Sequence, residues 1–346
     1  MKATIKDVAD RSGVSIATVS RVINGASVVS EKSRNKVLKA IEELDFKPNQ
    51  VARNLVMQKN TTIGIIVPAL GNQFYGGILN GIEEASGGSG YDIMLFTSGG
   101  DSSKEIHYLD VFEERHCAGV IIMTRKLEPG TVKKINSMEI PVILMNRNAS
   151  GLKCPTVSID NFRAAYEITN YLIDKGHTRI ALFRNSLDID AFGVEQYSGF
   201  ERALAEHDIE IDRSLVKYGE FKIQKSYELM KGLIKEGNIP TAVIATSDIM
   251  AVGVCNALVD SGYKIPEDVS VVGFNDIELA ENYRPAITVI HQPLKAMGEE
   301  AVQMIVSMNN GEGRGIIPQD GRTVILSHSL VERQSSGPCR ETSGEK

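Results

Sequence analysis

Residues 3–25 read ATIKDVADRSGVSIATVSRVING, and the spacing inside this stretch decides how the rest of the chain is read. Ile5, Val8 and Ala9 make a helical stripe over Ile5–Ser12. Gly13 then offers a residue that tolerates φ > 0 in a tight turn. Ser15 stands where an N-cap is wanted and opens a second helix, Ile16–Asn24, with Val19, Val22 and Ile23 on one face. A small Ala9, a Gly four residues later and an aliphatic Val19 six after that suit two helices crossing steeply through a short turn. The stretch predicts a helix-turn-helix. A generic helical hairpin satisfies the same spacing, but the outward positions Ile16, Ala17, Thr18, Ser20 and Arg21 favour DNA. They are small, hydroxyl-bearing or cationic, and none is a carboxylate that would repel phosphate.

Charge supports that reading once it is divided. The 346 residues carry 44 acidic and 38 basic side chains, a net charge of −6, which alone argues against a nucleic-acid protein. Residues 1–60, however, hold 11 Lys and Arg against 6 Asp and Glu, leaving 27 against 38 for the remainder. A head of +5 therefore precedes a body of −11.

Beyond the hairpin, Ser30 is placed to cap a third helix, Glu31–Leu44. Pro48 ends what precedes it, Asn49 can cap, and Gln50–Val56 carries the apolar stripe Val51, Ala52, Leu55. A helix of that length is too short to hold itself in water, so it is either a linker helix that needs a partner or a disordered linker.

From residue 62 short β-branched runs alternate with helical patterns: Ile63–Val67, Ile93–Phe96, Val120–Met123 and Val142–Met145, then Ile180–Phe183, Ala242–Ala245 and Val269–Phe274. Such runs between helices indicate parallel strands covered on both faces. Gly81-Ile82-Glu83-Glu84-Ala85 is echoed by Gly199-Phe200-Glu201-Arg202-Ala203, which suggests two similar α/β halves. Open parallel sheets bind ligands beyond their strand ends, so two halves make a cleft for a small polar molecule.

Several classes are excluded. At 42% apolar and 24% charged, the composition is that of a globular protein. Cysteines 117, 154, 255 and 339 form no CxxC pair, so neither structural zinc nor a disulfide framework is expected, and a reducing cytoplasm fits. The longest apolar run, Ile63 to Leu70, falls far short of the ~20 residues of a membrane span, and charges near the N-terminus leave no signal-peptide core. The chain has no GxGxxG after a strand, no Walker loop and no GxSxG, and its six histidines stand apart, so neither an enzyme nor a cofactor is expected.

The head motifs 3–9, 13–25 and 48–55 resemble those of the lactose/galactose-repressor family of bacterial transcription regulators, and the similarity extends over nearly the whole chain. The resemblance implies a recognition helix at Ile16–Asn24 in the major groove and a hinge helix at Gln50–Val56 that folds on operator DNA. In the family, the residue matching Leu55 wedges into a central base step from the minor groove. It implies DNA contacts from Thr4, Ser15, Ile16, Ala17, Thr18, Ser20, Arg21, Asn24, Asn49, Ala52, Arg53 and Leu55. Ile16 and Ala17 would meet thymine methyl groups, and Arg21 could reach a guanine; the alternative for Ile16 is burial against the third helix. The body is similar to the periplasmic-binding-protein type I fold, two lobes between which the chain crosses near 160, 290 and 322.

Effector contacts carry over to Asn72, Phe74, Asn146, Arg147, Asp160, Gln196, Ser247, Asp248 and Asn275. Carboxylates, amides and arginine at strand ends suit sugar hydroxyls. Asp248 could instead be a helix N-cap and Arg147 an interdomain ion pair. Sugar-binding members usually carry Arg where this chain has Gln196, which puts a simple sugar in question. A related branch, the catabolite control proteins, takes a phosphorylated carrier protein as corepressor, but Leu294–Met308 lacks the arginines a phosphoserine would need.

The expected organisation is a helix-turn-helix domain at 1–47, a hinge and linker at 48–60, and an effector and dimerisation domain at 61–334. Its lobes are approximately 61–160 with 291–322 and 161–290 with 323–334, and a flexible tail occupies 335–346. No leucine heptad follows Arg333, so a homodimer is expected rather than a coiled-coil tetramer. The expected function is an operator-binding repressor, cytoplasmic and nucleoid-associated, whose partners are palindromic double-stranded DNA and a small sugar-like effector. The alternatives are a cytosolic small-molecule-binding protein with no role on DNA, and a regulator with a protein corepressor.

Overall fold

The computed structural model describes residues 3–23, 29–46, 60–146, 151–185, 191–310 and 323–339. The chain divides into two compact units, Met1–Asn60 and Thr61–Lys346.

The first unit is a three-helix head: α1 (Ile5–Ser12), α2 (Ile16–Ile23) and α3 (Glu31–Glu43). Thr4 and Asp7 form a reciprocal capping box at the start of α1, and Gly13 ends it at φ 67°. The Thr18 amide donates to Ser15 Oγ at 3.2 Å, and Ser30 caps α3. Val8, Ala9, Val19, Val22, Val37, Ala40 and Phe46 close the core between the helices. Arg11 of α1 pairs with Glu43 of α3 at 2.6 Å.

The second unit holds two six-stranded sheets. The first lobe contains β1 (Thr62–Val67), α4 (Gln73–Gly88), β2 (Asp92–Thr97), α5 (Ser102–Glu114), β3 (Gly119–Ile122), α6 (Pro129–Ser137), β4 (Val142–Met145) and β5 (Thr156–Ile159). The second contains α7 (Asn161–Asp174), β6 (Ile180–Arg184), α8 (Ala191–Glu206), β7 (Val216–Tyr218), α9 (Ile223–Lys235), β8 (Ala242–Ala245), α10 (Asp248–Val259), β9 (Ser270–Asn275), α11 (Glu278–Asn282) and β10 (Thr288–His291). The chain then returns to the first lobe as α12 (Leu294–Asn309) and β11 (Thr323–Leu326), and ends in the second as β12 (Ser329–Val331). The sheet orders are β11-β5-β4-β3-β1-β2 and β12-β10-β9-β8-β6-β7, and β12 alone among these strands is antiparallel to its neighbour. Strands such as β3, β4, β6 and β8 are buried along their whole length, as sheets covered by helices on both faces require.

Helix packing explains the internal echo. A side chain on Gly81 of α4 would strike the Lys295 carbonyl of α12, and one on Gly298 would strike the Ile78 carbonyl in return. In the other lobe, Gly199 of α8 lies equally close to the Phe162 carbonyl of α7. The echoed glycines mark the place in each lobe where two helix backbones touch.

Two expectations are corrected. Thr323–Leu326 pairs residue for residue with Thr156–Ile159, so the third crossing comes at Ser327–His328, and the first lobe extends past 322. The segment from 335 to 339 is not a flexible tail. The Val271 amide donates to the Ser335 carbonyl at 2.8 Å, Gly337 donates to Ser270 Oγ at 3.1 Å, and Cys339 donates to the Lys175 carbonyl at 2.7 Å. These bonds satisfy backbone groups that burial would otherwise leave unpaired. Strands β5, β7, β10, β11 and β12 went unread in the sequence because runs of three or four residues have little patterning, whether at a sheet edge as β7, β11 and β12 or one strand in as β5 and β10. The proposed hinge helix lies outside the described residues. Among the described residues, no helix is long and apolar enough to cross a membrane.

Candidate DNA-reading helix and effector cleft

In the head, α2 turns Val19 and Val22 into the core and leaves the other face open. Ile16 is 47% exposed, so it is not buried against α3; Ala17 and Arg21 are exposed beside it. Ile16 is not part of the head's core cluster, so its side chain is free to meet a thymine methyl group. Thr4 and Ser15 both cap: Thr4 Oγ1 donates to Asp7 Oδ2 at 2.7 Å, and Ser15 Oγ lies 2.9 Å from Thr18 Oγ1. These caps fix the starts of α1 and α2, the ends from which backbone N–H groups point outward. Ser20 is half-buried. Asn24, Asn49, Ala52, Arg53 and Leu55 lie outside the described residues.

In the body, loops at the strand ends of the two lobes meet. Asn72 caps α4 by accepting the Phe74 amide at 3.0 Å, and the Phe74 ring lies edge-on to Tyr75 with centroids 5.3 Å apart. Asn146 follows β4 at φ 51°, a conformation that asparagine tolerates better than most residues. Its Oδ1 accepts Ser158 Oγ at 2.9 Å and Asn161 Nδ2 at 3.3 Å, joining the two lobes at the first crossing. Asp160 there caps α7 through the Arg163 amide at 2.8 Å. At the second crossing Gln292 Nε2 donates to Asn275 Oδ1 at 2.8 Å. Asn161 and Gln292 were missed in the sequence; their only signal is that each follows a strand at a crossing.

Gln196 of α8 is buried, and its Oε1 has no hydrogen-bond partner; the same holds for Asn161 Oδ1 and Gln292 Oε1. Next to Gln196, the Tyr197 ring carries the guanidinium of the fully buried Arg184 at 4.8 Å. Arg184 also donates from Nε to the Asn185 carbonyl and from Nη2 to the Gly193 carbonyl. Ser247 is buried at the N-cap position of α10 and makes no side-chain cap bond. Arg147 lies outside the described residues.

Asp248 is not the N-cap of α10, a position that Ser247 holds, and like Gln196 it keeps one side-chain oxygen, Oδ1, without a hydrogen-bond partner. It is the first residue of α10 and fully buried, and its Oδ2 accepts the Ile277 amide at 2.9 Å. Burial pushes its carboxyl well above the usual range. A side chain on Gly273 of β9 would meet Asp248 Oδ1 at 2.5 Å, which leaves glycine as the residue that fits there.

Comparisons with known proteins agree with both units. Residues 4–49 match the bacterial regulatory proteins of the lacI family, and residues 169–336 match the periplasmic-binding-protein-like domain. The HTH-type transcriptional regulator RegA of Clostridium saccharobutylicum is 39% identical over 337 residues, 97% of this chain and 100% of that protein. Catabolite control protein A of Priestia megaterium is 34% identical over 336 residues, 97% of this chain and 100% of its own. Among solved structures, a complex of the transcriptional regulator CelR with cellobiose has 30% identity and a TM-score of 0.71, over 96% of this chain and 100% of that one. With a DNA-reading head, a two-lobed body and full-length relatives that are regulators rather than enzymes, this chain belongs to the lacI family of bacterial DNA-binding transcriptional regulators.

Proposed function

We propose that the chain is a homodimeric repressor of the cytoplasm, associated with the nucleoid, that binds a palindromic operator and releases or grips it according to a small sugar-like effector between the two lobes. Thr4, Ser15, Ile16, Ala17, Thr18, Ser20 and Arg21 are assigned to DNA, with Asn24, Asn49, Ala52, Arg53 and Leu55 by resemblance. Asn72, Phe74, Asn146, Arg147, Asp160, Gln196, Ser247 and Asn275 are assigned to the effector, with Asn161 and Gln292 added from the structure. Asp248 is assigned to the effector with them through its unpartnered Oδ1, while its Oδ2 holds the loop after β9.

The observation that carries the proposal is the open face of α2, where Ile16 stands half-exposed between small and cationic neighbours. The buried amide oxygens of Asn161, Gln196 and Gln292 support the effector assignment, because they are acceptors to which a ligand's hydroxyl or N–H groups could donate. CelR, solved with cellobiose, supports a carbohydrate.

The test titrates the full-length protein against a duplex selected from a random pool, at rising salt. An operator-binding dimer gives saturable binding whose log Kd rises steeply with log salt, as phosphate contacts release counterions. Flat, non-saturating binding overturns the proposal. A thermal-shift screen with sugars, sugar acids, sugar phosphates and nucleosides then identifies the effector class.

A further inference from the structure

The segment after β9 belongs to the second lobe, yet two of its side chains reach the core of the first. Ile277, 4% exposed, is part of the first lobe's core with Leu294 and Met297, and Leu279 packs against the cores of both lobes. The Leu279 amide donates to Gln73 Oε1, at the start of α4, across 3.3 Å.

The same segment is tied tightly to its own lobe. Asn275 and Asp276 hold positive φ angles of 109° and 64°, which side-chain-bearing residues keep only where their surroundings impose it. Here Asn275 accepts Gln292, and Asp276 pairs with Arg333 Nη2 at 2.6 Å and His291 Nδ1 at 2.9 Å. The Ile277 amide donates to buried Asp248. The segment therefore moves with the second lobe, and any rotation of the lobes must withdraw Ile277 and Leu279 from the first.

We propose that Ile277 and Leu279, with Gln73 opposite them, are positioning residues that set operator affinity by fixing how the two lobes sit. They do so from the same five-residue segment that begins with Asn275 in the effector cleft. This inference rests on the proposed function: a molecule that engages Asn275 pulls on backbone two residues from Ile277, so cleft and lobe contact share one element.

The test uses the full-length protein and the duplex selected with it. Leu279→Ala changes operator Kd at least fivefold and Gln73→Ala at least threefold. Leu279→Ala keeps the backbone amide that Gln73 accepts, so the two variants report separately on the apolar and the polar part of the lobe contact. The slope of log Kd against log salt stays at the wild-type value, because the head's phosphate contacts are untouched; damage to the head would alter it. Unchanged Kd in both single variants or a changed slope overturns the inference. If Leu279→Ala unfolds at lower temperature than wild type, Gln73→Ala, an exposed position, carries the test alone at its threefold threshold. Flat salt dependence in the wild type would instead remove the DNA-binding proposal itself, whereas a steep slope shared by wild type and unshifted variants removes only the lobe contact.

Discussion

Arg21 and His177 show how far single residues govern this protein. Arg21 lies exposed on α2 with no carboxylate in that helix, so its guanidinium is placed to meet guanine or phosphate. Arg21→Ala is expected to weaken operator binding by roughly 1–3 kcal/mol if it reads a base, measured as a ratio of Kd values at fixed salt. His177 works in the opposite setting. It is buried, its Nε2 lies 3.0 Å from the Gly337 carbonyl, and burial holds its pKa below the ordinary value. Below a pH of about 6.5 the unfolded chain therefore takes up a proton that the folded chain resists, so His177 lowers stability as pH falls. In urea titrations, the stability advantage of wild type over His177→Gln should shrink between pH 7 and pH 5. An advantage that grows on acidification would contradict the burial effect.

Helix pairs are the element on which both lobes depend. In the first lobe α4 and α12 meet through Gly81 and Gly298, where an added methyl group collides with backbone carbonyls that cannot turn aside. Gly298→Ala should cost about 1–3 kcal/mol by overpacking, read as a lower denaturant midpoint at unchanged m. The same change at Gly87, which has open space around it, should not destabilise by that mechanism. α12 also bears on partners. Its one cation, Lys295, is paired with Glu84 at 2.6 Å, which leaves little on this helix to hold a phosphoserine. A serine-phosphorylated carrier protein added to the operator complex should leave Kd unchanged; tightening would restore the protein-corepressor alternative.

For the molecule as a whole the governing relation is linkage. If one equilibrium of lobe arrangements connects the cleft to the operator, the factor by which an effector changes operator Kd must equal the factor by which operator changes effector Kd. Calorimetry of the effector with and without the duplex measures one side, and operator titration with and without effector measures the other. Unequal factors would show that more than these two sites are involved.

The sequence by itself determined the head. Ala9, Gly13, Ser15 and Val19 act within a few residues of one another, so capping, turn and helix crossing were legible from spacing alone. The two-lobed body was legible too, because central parallel strands are continuous β-branched runs. Tertiary structure decided what depends on residues far apart: β11 lengthening the first lobe, residues 335–339 fastened under the second, and the pairing of Asn275 with Gln292 and of Gln73 with Leu279. Asp248 marks the boundary best. Its position after a strand reads as a ligand contact or a helix N-cap, and only the tertiary structure gives the N-cap to Ser247 and brings Asp248 Oδ2 to the Ile277 amide. Local propensity acts through neighbours in the chain, whereas burial and loop-to-loop bonding are set by which strand ends the fold brings together.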